Sequence, residues 1–477
     1  MDQKLVGQAI AAATLTTVVL LAGLRDSNSD ISTGWSTVLR DDSILAETYP
    51  TSDGNYIYPP TESVADGTAA HRPEEEFIAF ESEASNLVEV DANQKRDVFL
   101  HHRGSGQTRR ITSGNGDSGR PSISWSGRFV AFESDATDLA LPDTNQTSDV
   151  FVYDLSSGRT SRVSVNDGGV EGDRASWLPA ISAGGRHVAF ASWARNLVPG
   201  DGNGYMDIFV HDRLLKKTRR ASVHTNGREA DEASMNPAVS ADGRYVTFLS
   251  FAFNIVDQGA TGAGDIYCHD FQTGETTLVS VHRNPGGLNA WESIGRSSIS
   301  ANGRFVAFDS YAEDLVLGDQ GFDHDVFLRD RVLGITTRLS IAPAGAEANA
   351  ASWGPSISAD GRYVAFVSEA SNLVPDDTNG AADIFLRDVL LGITTRISRG
   401  VGGEPANRGS DYASISPKGT SITFSSYASN LVGGVQPDRN GHWDVFVFDQ
   451  STNATTRVSV SSLGAEGNGP SSRSDMN

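Results

Sequence analysis

Five stretches of this chain place oxygen-bearing side chains at a spacing that suits a hard cation. Asp91/Asn93/Asp97, Asp143/Asn145/Asp149, Asp201/Asn203/Asp207, Asp377/Asn379/Asp383 and Asp438/Asn440/Asp444 each read Asp-x-Asn-x-x-x-Asp. Calcium takes about six to eight oxygens, and close-set Asp and Asn side chains with backbone carbonyls can supply them. Asp201-Gly-Asn203-Gly204 comes nearest to a calcium loop, although none of the five adds a bidentate Glu. The same residues suit a second chemistry. Asp and Asn two positions apart close turns by bonding nearby backbone and tolerate left-handed conformations. Calcium binding and turn formation therefore both stay open. Two further stretches, Asp257 to Asp265 and the one with Gly321 in place of Asn, have lost the pattern and are expected to hold no ion.

Four aromatic residues, Trp177, Trp291, Trp353 and Tyr412, stand among Asp, Glu and Asn, as in Asp173-Arg-Ala-Ser-Trp177 and Leu288-Asn-Ala-Trp291-Glu. Flat rings beside carboxylates suit a sugar or peptide, which stacks on the ring and gives its polar groups to the acids. Packing between neighbouring structural units is the competing use. Catalytic constellations are weak. Gly116-Asp-Ser118-Gly119 echoes a serine-protease nucleophile loop but reads better as a short connection. His101, His211 and His269 occupy one repeat position in different copies, too far apart to share a metal.

The elements that must carry these residues come from a repeat. Gly-Arg-aromatic-Val or a close variant recurs at Gly127, Gly185, Gly243, Gly303 and Gly361, with a looser form at Gly419, in steps of 58, 58, 60, 58 and 58 residues. A degenerate earlier copy carries Phe77-Ile-Ala-Phe80, which makes seven. Each copy holds four short apolar runs rich in β-branched and aromatic residues, too short for helices. Asp-Gly between the first two, as at Asp360-Gly361, marks a tight hairpin. Four antiparallel strands form a blade, and a blade apolar on both faces is stable only when several close into a ring. The expected fold is all-β, a seven-bladed β-propeller of four-stranded antiparallel blades over residues 69–477. Residues 464 to 474 restart the pattern, and the first copy lacks a good first strand, so Pro470 to Ser474 should complete the blade of Phe77 to Phe80. The third strand ends in Asp in six copies and the fourth carries Arg in six, and these two are expected to pair.

Ser358-Ala-Asp-Gly-Arg-Tyr-Val-Ala-Phe366 and Asp265-Ile-Tyr-Cys-His-Asp270 resemble the TolB-type propeller repeat, and the resemblance spans about residues 69 to 474. It implies the propeller fold and no single function. TolB-like propellers include polysaccharide lyases with a central His and metal cluster, and no His cluster stands at the expected channel mouth here. Prolyl-oligopeptidase-like enzymes add a hydrolase domain with a Gly-x-Ser-x-Gly elbow, which this chain lacks.

Composition narrows the partners. The 38 Lys plus Arg against 60 Asp plus Glu leave a net charge of −22, which repels phosphate backbones, so nucleic acid is not expected. Cys268 is the only cysteine, which excludes a disulfide framework. Leu5 to Leu24 is uncharged and lies between Lys4 and Arg25, so residues 1–25 are expected to be a signal peptide or N-terminal anchor, with 26–68 a polar linker. No other membrane contact is expected. The sequence thus describes a secreted or periplasmic, non-enzymatic module for a protein, peptide or carbohydrate ligand, with calcium its one candidate cofactor. The alternative is a carbohydrate-active enzyme, a polysaccharide lyase or glycosidase, with its site in the channel.

Overall fold

The computed structural model describes residues 77–283, 295–319, 323–433 and 438–477, together with two short paired strands, Tyr49–Pro50 and Tyr56–Ile57. Those two strands lie in a separate compact unit, Met1–Gly67; the propeller lies in Thr68–Asn477. The expected signal segment and Trp291 fall outside the described residues.

Six copies of the repeat fold into four antiparallel strands in chain order, for example Ser352–Ile357, Tyr363–Ser368, Asp383–Asp388 and Ile393–Arg396. The seventh sheet draws on distant segments. Ser471–Met476 pairs antiparallel with Phe77–Ser82, which continues to Asp97–His102 and Gln107–Arg110. The register, Ile78 opposite Met476 and Ser82 opposite Ser471, is the closure that the restarted pattern at Gly464 implied. With this sheet as blade one, the first strands of blades two to seven are Ser118–Ile123, Ser176–Ile181, Ser234–Val239, Ser297–Ile299, Ser352–Ile357 and Ser410–Ile415. Each touches the first strand of the next blade, and that of blade one touches that of blade two, so the ring is closed around a central channel. Among the described residues of the propeller, the one helical element is a short 3-10 turn, Pro343–Gly345.

Alternation along the second strand explains the packing. Successive side chains point to opposite faces, so the repeated small residue and the Phe after it serve different neighbours. Each such Phe stacks on the aromatic ring opposite it on the third strand, with centroids 5.7–6.0 Å apart, as in Phe366–Phe385 and Phe424–Phe446. The small residue makes room for the next blade's ring pair. Ala365 shares a buried cluster with Phe424 and Phe446, Ala307 with Phe366 and Phe385, and Ala79 with Phe132 and Phe151. The hairpin glycine supplies a second lock. Gly361 has φ +78°, and a Cβ there would stand 2.3 Å from the Phe305 ring of the preceding blade. Only glycine meets both conditions.

One expected pairing is different in the structure. The Asp at the end of the third strand does not pair with the fourth-strand Arg but, in five of the six copies, with the Arg that precedes the second strand; the sixth, Asp449, pairs with Arg103 of blade one. Arg244 Nε donates to Asp270 Oδ1 at 2.8 Å and its Nη2 to Oδ2 at 2.7 Å, and Arg128–Asp154, Arg186–Asp212, Arg304–Asp330 and Arg362–Asp388 repeat the pair. Register is the reason. Asp154 lies opposite Phe129, beside Arg128, whereas fourth-strand Arg162 lies opposite Phe151, three residues away from Asp154 along its strand.

If Ala and Phe are complementary halves of one interface, both substitutions should weaken it. Phe366→Ala should cost about 3–5 kcal/mol through the cavity it leaves, and Ala365→Leu about 1–3 kcal/mol through overpacking. Denaturant unfolding of both variants checks this; an Ala365→Leu protein as stable as the wild type would show that the face has spare room.

Candidate functional site

The Asp-x-Asn loops come together around an arginine. In blade three, Asn203 Oδ1 accepts from the Tyr205 N–H at 2.9 Å, while its Nδ2 donates to Asp207 Oδ2 and to the Ala230 carbonyl, each at 2.9 Å. Asp207 Oδ1 accepts from Ser222 Oγ at 2.5 Å. Into this cage projects fourth-strand Arg220, whose Nη1 lies 3.4 Å from Asp201, 3.2 Å from Asp207 and 3.0 Å from Glu229 of the next blade connection. The other blades repeat the arrangement. Arg110 meets Asp91 and Asp97, Arg162 meets Asp143, Asp149 and Glu171, Arg396 meets Asp377, and Arg457 meets Asp438, Asp444 and Glu466. Asn93, Asn145, Asn379 and Asn440 clamp the following connection as Asn203 does, each donating to a carbonyl there, and Asn379 also donates to Asp383 at 2.7 Å. Blade five, without the Asn, keeps the cage as Arg338 with Asp319, Asp325 and Glu347. Where Leu278 replaces the arginine in blade four, His282 sits between Asp314 at 2.5 Å and Asp265 at 3.5 Å. Burial outweighs the guanidinium in these cages and pushes Asp149, Asp201, Asp383 and Asp438 up to about 6. Among the described residues, no group of three or more His, Cys, Asp or Glu side chains is placed to hold a metal ion.

The aromatic candidates separate into two environments. Trp177 and Trp353 are half-buried and pack against clusters between blades, Trp177 on that of Val246 and Phe248 and Trp353 on that of Phe424. Trp353 Nε1 also donates to Asp411 Oδ1 at 3.4 Å. Tyr412 stands elsewhere, at a bulge in the first strand of blade seven.

That bulge recurs, and it builds the channel wall. Register slips by one step in the first strands, and the residue at the slip adopts positive φ: Arg120 (49°), Leu178 (57°), Asn236 (53°), Gly354 (62°), Tyr412 (54°) and Arg473 (48°). Arg296 holds the equivalent position in blade five, next to Ser297. Bulges of this kind re-aim side chains, and strained conformations persist only when surrounding contacts hold them. Here buried carboxylates of the preceding blade do so. Glu81 accepts from the Arg120 N–H at 2.8 Å, Glu133 from the Leu178 N–H at 3.0 Å and Asp309 from the Gly354 N–H at 3.3 Å; Asp309 also accepts from the Arg296 N–H of its own blade at 2.6 Å.

Three of the redirected side chains, Arg120, Tyr412 and Arg473, meet Arg296 although their blades are spread round the ring. The Arg473 guanidinium lies 5.0 Å from the Tyr412 ring centroid, and that of Arg296, two blades away on the other side, lies 5.7 Å from it. Arg473 Nη2 donates to the Tyr412 hydroxyl at 3.4 Å. Arg120 Nε is 3.5 Å from Glu133 and Arg473 Nε 3.7 Å from Glu81. Burial holds Arg120 below the usual arginine range, and the charges of Arg473 and Arg296 add to this. Blades one, two, five and seven can share such a neighbourhood only on the ring axis. Nearby, burial pushes Asp309 up to about 7, and its Oδ2 is 3.5 Å from His324 Nε2; burial also takes His324 down to about 4.

Of the residues singled out from sequence, then, only Tyr412 reaches this site among the described residues. Arg120, Arg296 and Arg473, with Glu81, Glu133 and Asp309, were not anticipated. A signal for the arginines existed: they fill the position just before Pro or Ser in the first strand, where the seven copies read Arg, Leu, Asn, Arg, Gly, Tyr and Arg.

No family model matches the chain, and no curated protein matches it. Solved structures similar to it include TolB from Acinetobacter baumannii, 13% identical over 84% of this chain and 66% of that one, TM-score 0.40. A putative TolB from Agrobacterium tumefaciens is 17% identical over 73% and 96%, TM-score 0.38. A prolyl endopeptidase structure is 13% identical over 76% and 46%, TM-score 0.47. At these identities and TM-scores the propeller assignment stands on the strand pairing itself.

Two outcomes follow from the site. With a guanidinium already inside each acidic cage, the melting temperature in millimolar calcium should equal that in chelator; a rise with calcium, the mass-action signature of binding to the folded state, would show the ion entering the loops. The second concerns Asp309. Its carboxyl is raised on folding, so the stability of its protonated form is fully present below the unfolded value of about 3.9 and is lost as pH rises through about 7. From pH 8 to pH 5, wild type should therefore gain on the order of 2 kcal/mol relative to Asp309→Asn, and a pH-independent difference would mean the carboxyl titrates normally.

Proposed function

We propose that the protein is an exported, non-enzymatic binding module that takes a carbohydrate, peptide or protein ligand at the mouth of the propeller channel. The observation that carries this reading is the meeting of Tyr412, Arg120, Arg296 and Arg473 on the axis, at a first-strand position where the copies diverge. Features common to the blades are occupied by internal contacts: cage arginines by loop carboxylates, hairpin glycines by neighbouring rings, alternate Phe and Ala by each other. A side chain free to differ from blade to blade is one the ring does not need, and function belongs there. Export rests on the uncharged Leu5 to Leu24 segment, and with it a secreted or periplasmic location.

One observation favours a carbohydrate-active enzyme instead. Asp309 is buried beside the channel arginines with its proton affinity near neutrality, and a carboxyl so poised is a candidate general acid. Purified protein presented with a panel of glycans and peptides, with and without divalent metal, separates the two. The binding reading expects retention of a panel member without turnover, weakened about tenfold in Tyr412→Ala on the scale of a lost buried aromatic contact. Turnover that disappears in Asp309→Asn would establish the enzyme.

A further inference from the structure

We propose that the channel site recognises its ligand through a carboxylate, with Arg296 as the principal partner. The proposal rests on the binding reading above and adds the chemistry of what is bound. Of the three channel arginines, two have a carboxylate within 4 Å: Glu133 for Arg120 and Glu81 for Arg473. Both carboxylates are also tied to main-chain N–H groups, Glu133 to that of Leu178 and Glu81 to that of Arg120, and so stay where they are. Arg296 is different. Its main-chain N–H is bonded to Asp309, but its exposed guanidinium makes no hydrogen bond or ion pair with any described residue. Asp309 is turned to the main chain of Arg296 and Gly354 and toward His324, and it acts on the Arg296 guanidinium through charge alone, without an ion pair within 4 Å.

What surrounds that guanidinium is a set of donors. The Tyr412 oxygen accepts from Arg473, and its own O–H has no acceptor among the described residues. A guanidinium fork and a phenol hydrogen, with two more guanidinium groups behind them, call for a ligand atom set that accepts. A carboxylate matches the fork with two parallel bonds. With Arg473 and Arg296 both lying against the Tyr412 ring, charge and hydrogen bonding, rather than stacking of a sugar on that ring, set the selectivity. Gly354 stands between the blades of Arg296 and Tyr412 with no side chain, and a Cβ there would meet only Val367, at 3.9 Å, so the wall is open at this point. The net charge of −22 turns away polyanions while allowing one carboxylate on an otherwise neutral ligand to enter.

The test is calorimetric titration of the full-length protein at constant ionic strength with two acids and their neutral twins: D-glucuronate beside D-glucose, and N-acetyl-dialanine beside its C-terminal amide. One acid should bind, its twin about tenfold or more weaker, and Arg296→Gln, shown to be folded by circular dichroism, should lose a similar factor. Arg296→Lys, which keeps the charge without the fork, should recover only part of it. Which acid binds distinguishes a sugar acid from a peptide terminus. Equal binding of acid and twin, or an Arg296→Gln protein that binds the acid as wild type does, overturns the carboxylate assignment and leaves the channel-binding reading standing. If neither acid binds, the assignment also falls, while the panel with Tyr412→Ala still decides the binding reading separately.

Discussion

A blade with Phe on one face and Ala or Thr on the other cannot bury both faces by itself, and its neighbour is the only surface shaped to receive them. Each Phe pair fills the space left by the small residue of the preceding blade, so every interface is the same interface and the last one must meet the first. Buried apolar area contributes roughly 25 cal/mol per Å², and an open ring would forfeit one such interface and expose a strand edge. Closure by Ser471–Met476 on Phe77–Ser82 therefore concerns every blade. Asp475 strengthens it, accepting from the Ile123 N–H at 2.9 Å and from Ser414 Oγ at 2.8 Å, and thus joining blades two and seven through the closing strand.

On this frame the acidic loops have a structural use. In four blades, three carboxylates around one arginine tie the second-to-third-strand loop, the fourth strand and the next blade connection to a single group. Burying an ion pair brings little net stability, yet removing one partner leaves an uncompensated charge that costs about 3–5 kcal/mol. That asymmetry makes the cages specific rather than strong: a connection entering in the wrong register would leave a guanidinium or a carboxylate alone. The channel arginines obey the opposite logic. They stand at the channel end of the first strands, Arg120 and Arg473 on strained bulges, partly exposed and at most loosely paired.

Much of the fold could be read from sequence because most copies repeat the same constraints: turn glycines, a small residue followed by Phe, and loop spacing. Even the closing strand showed, since Gly464 to Ser474 restarts the pattern. Partner choice did not. Asp154 goes to Arg128 rather than Arg162 because of strand register, which spacing alone leaves undetermined. The calcium-like Asp-x-Asn loops could be seen as a cation cage, but their arginine lies on the fourth strand, 13 residues beyond the last Asp, and only folding brings it inside. Tyr412 was visible as an aromatic near the channel, whereas Trp177 and Trp353, in similar sequence, pack between blades. Arg120, Arg296 and Arg473 escaped notice because they belong to different copies and meet only once the ring closes.

The central claim is a division of labour: repeated charges hold the ring, and divergent ones face the ligand. Thermal unfolding of Arg220→Gln and Arg296→Gln beside the wild type tests it most directly. The account predicts a clear fall in melting temperature for Arg220→Gln, which leaves Asp201, Asp207 and Glu229 without their cation, and an unchanged value for Arg296→Gln. A stable Arg220→Gln protein, or an Arg296→Gln protein that unfolds early, would contradict it.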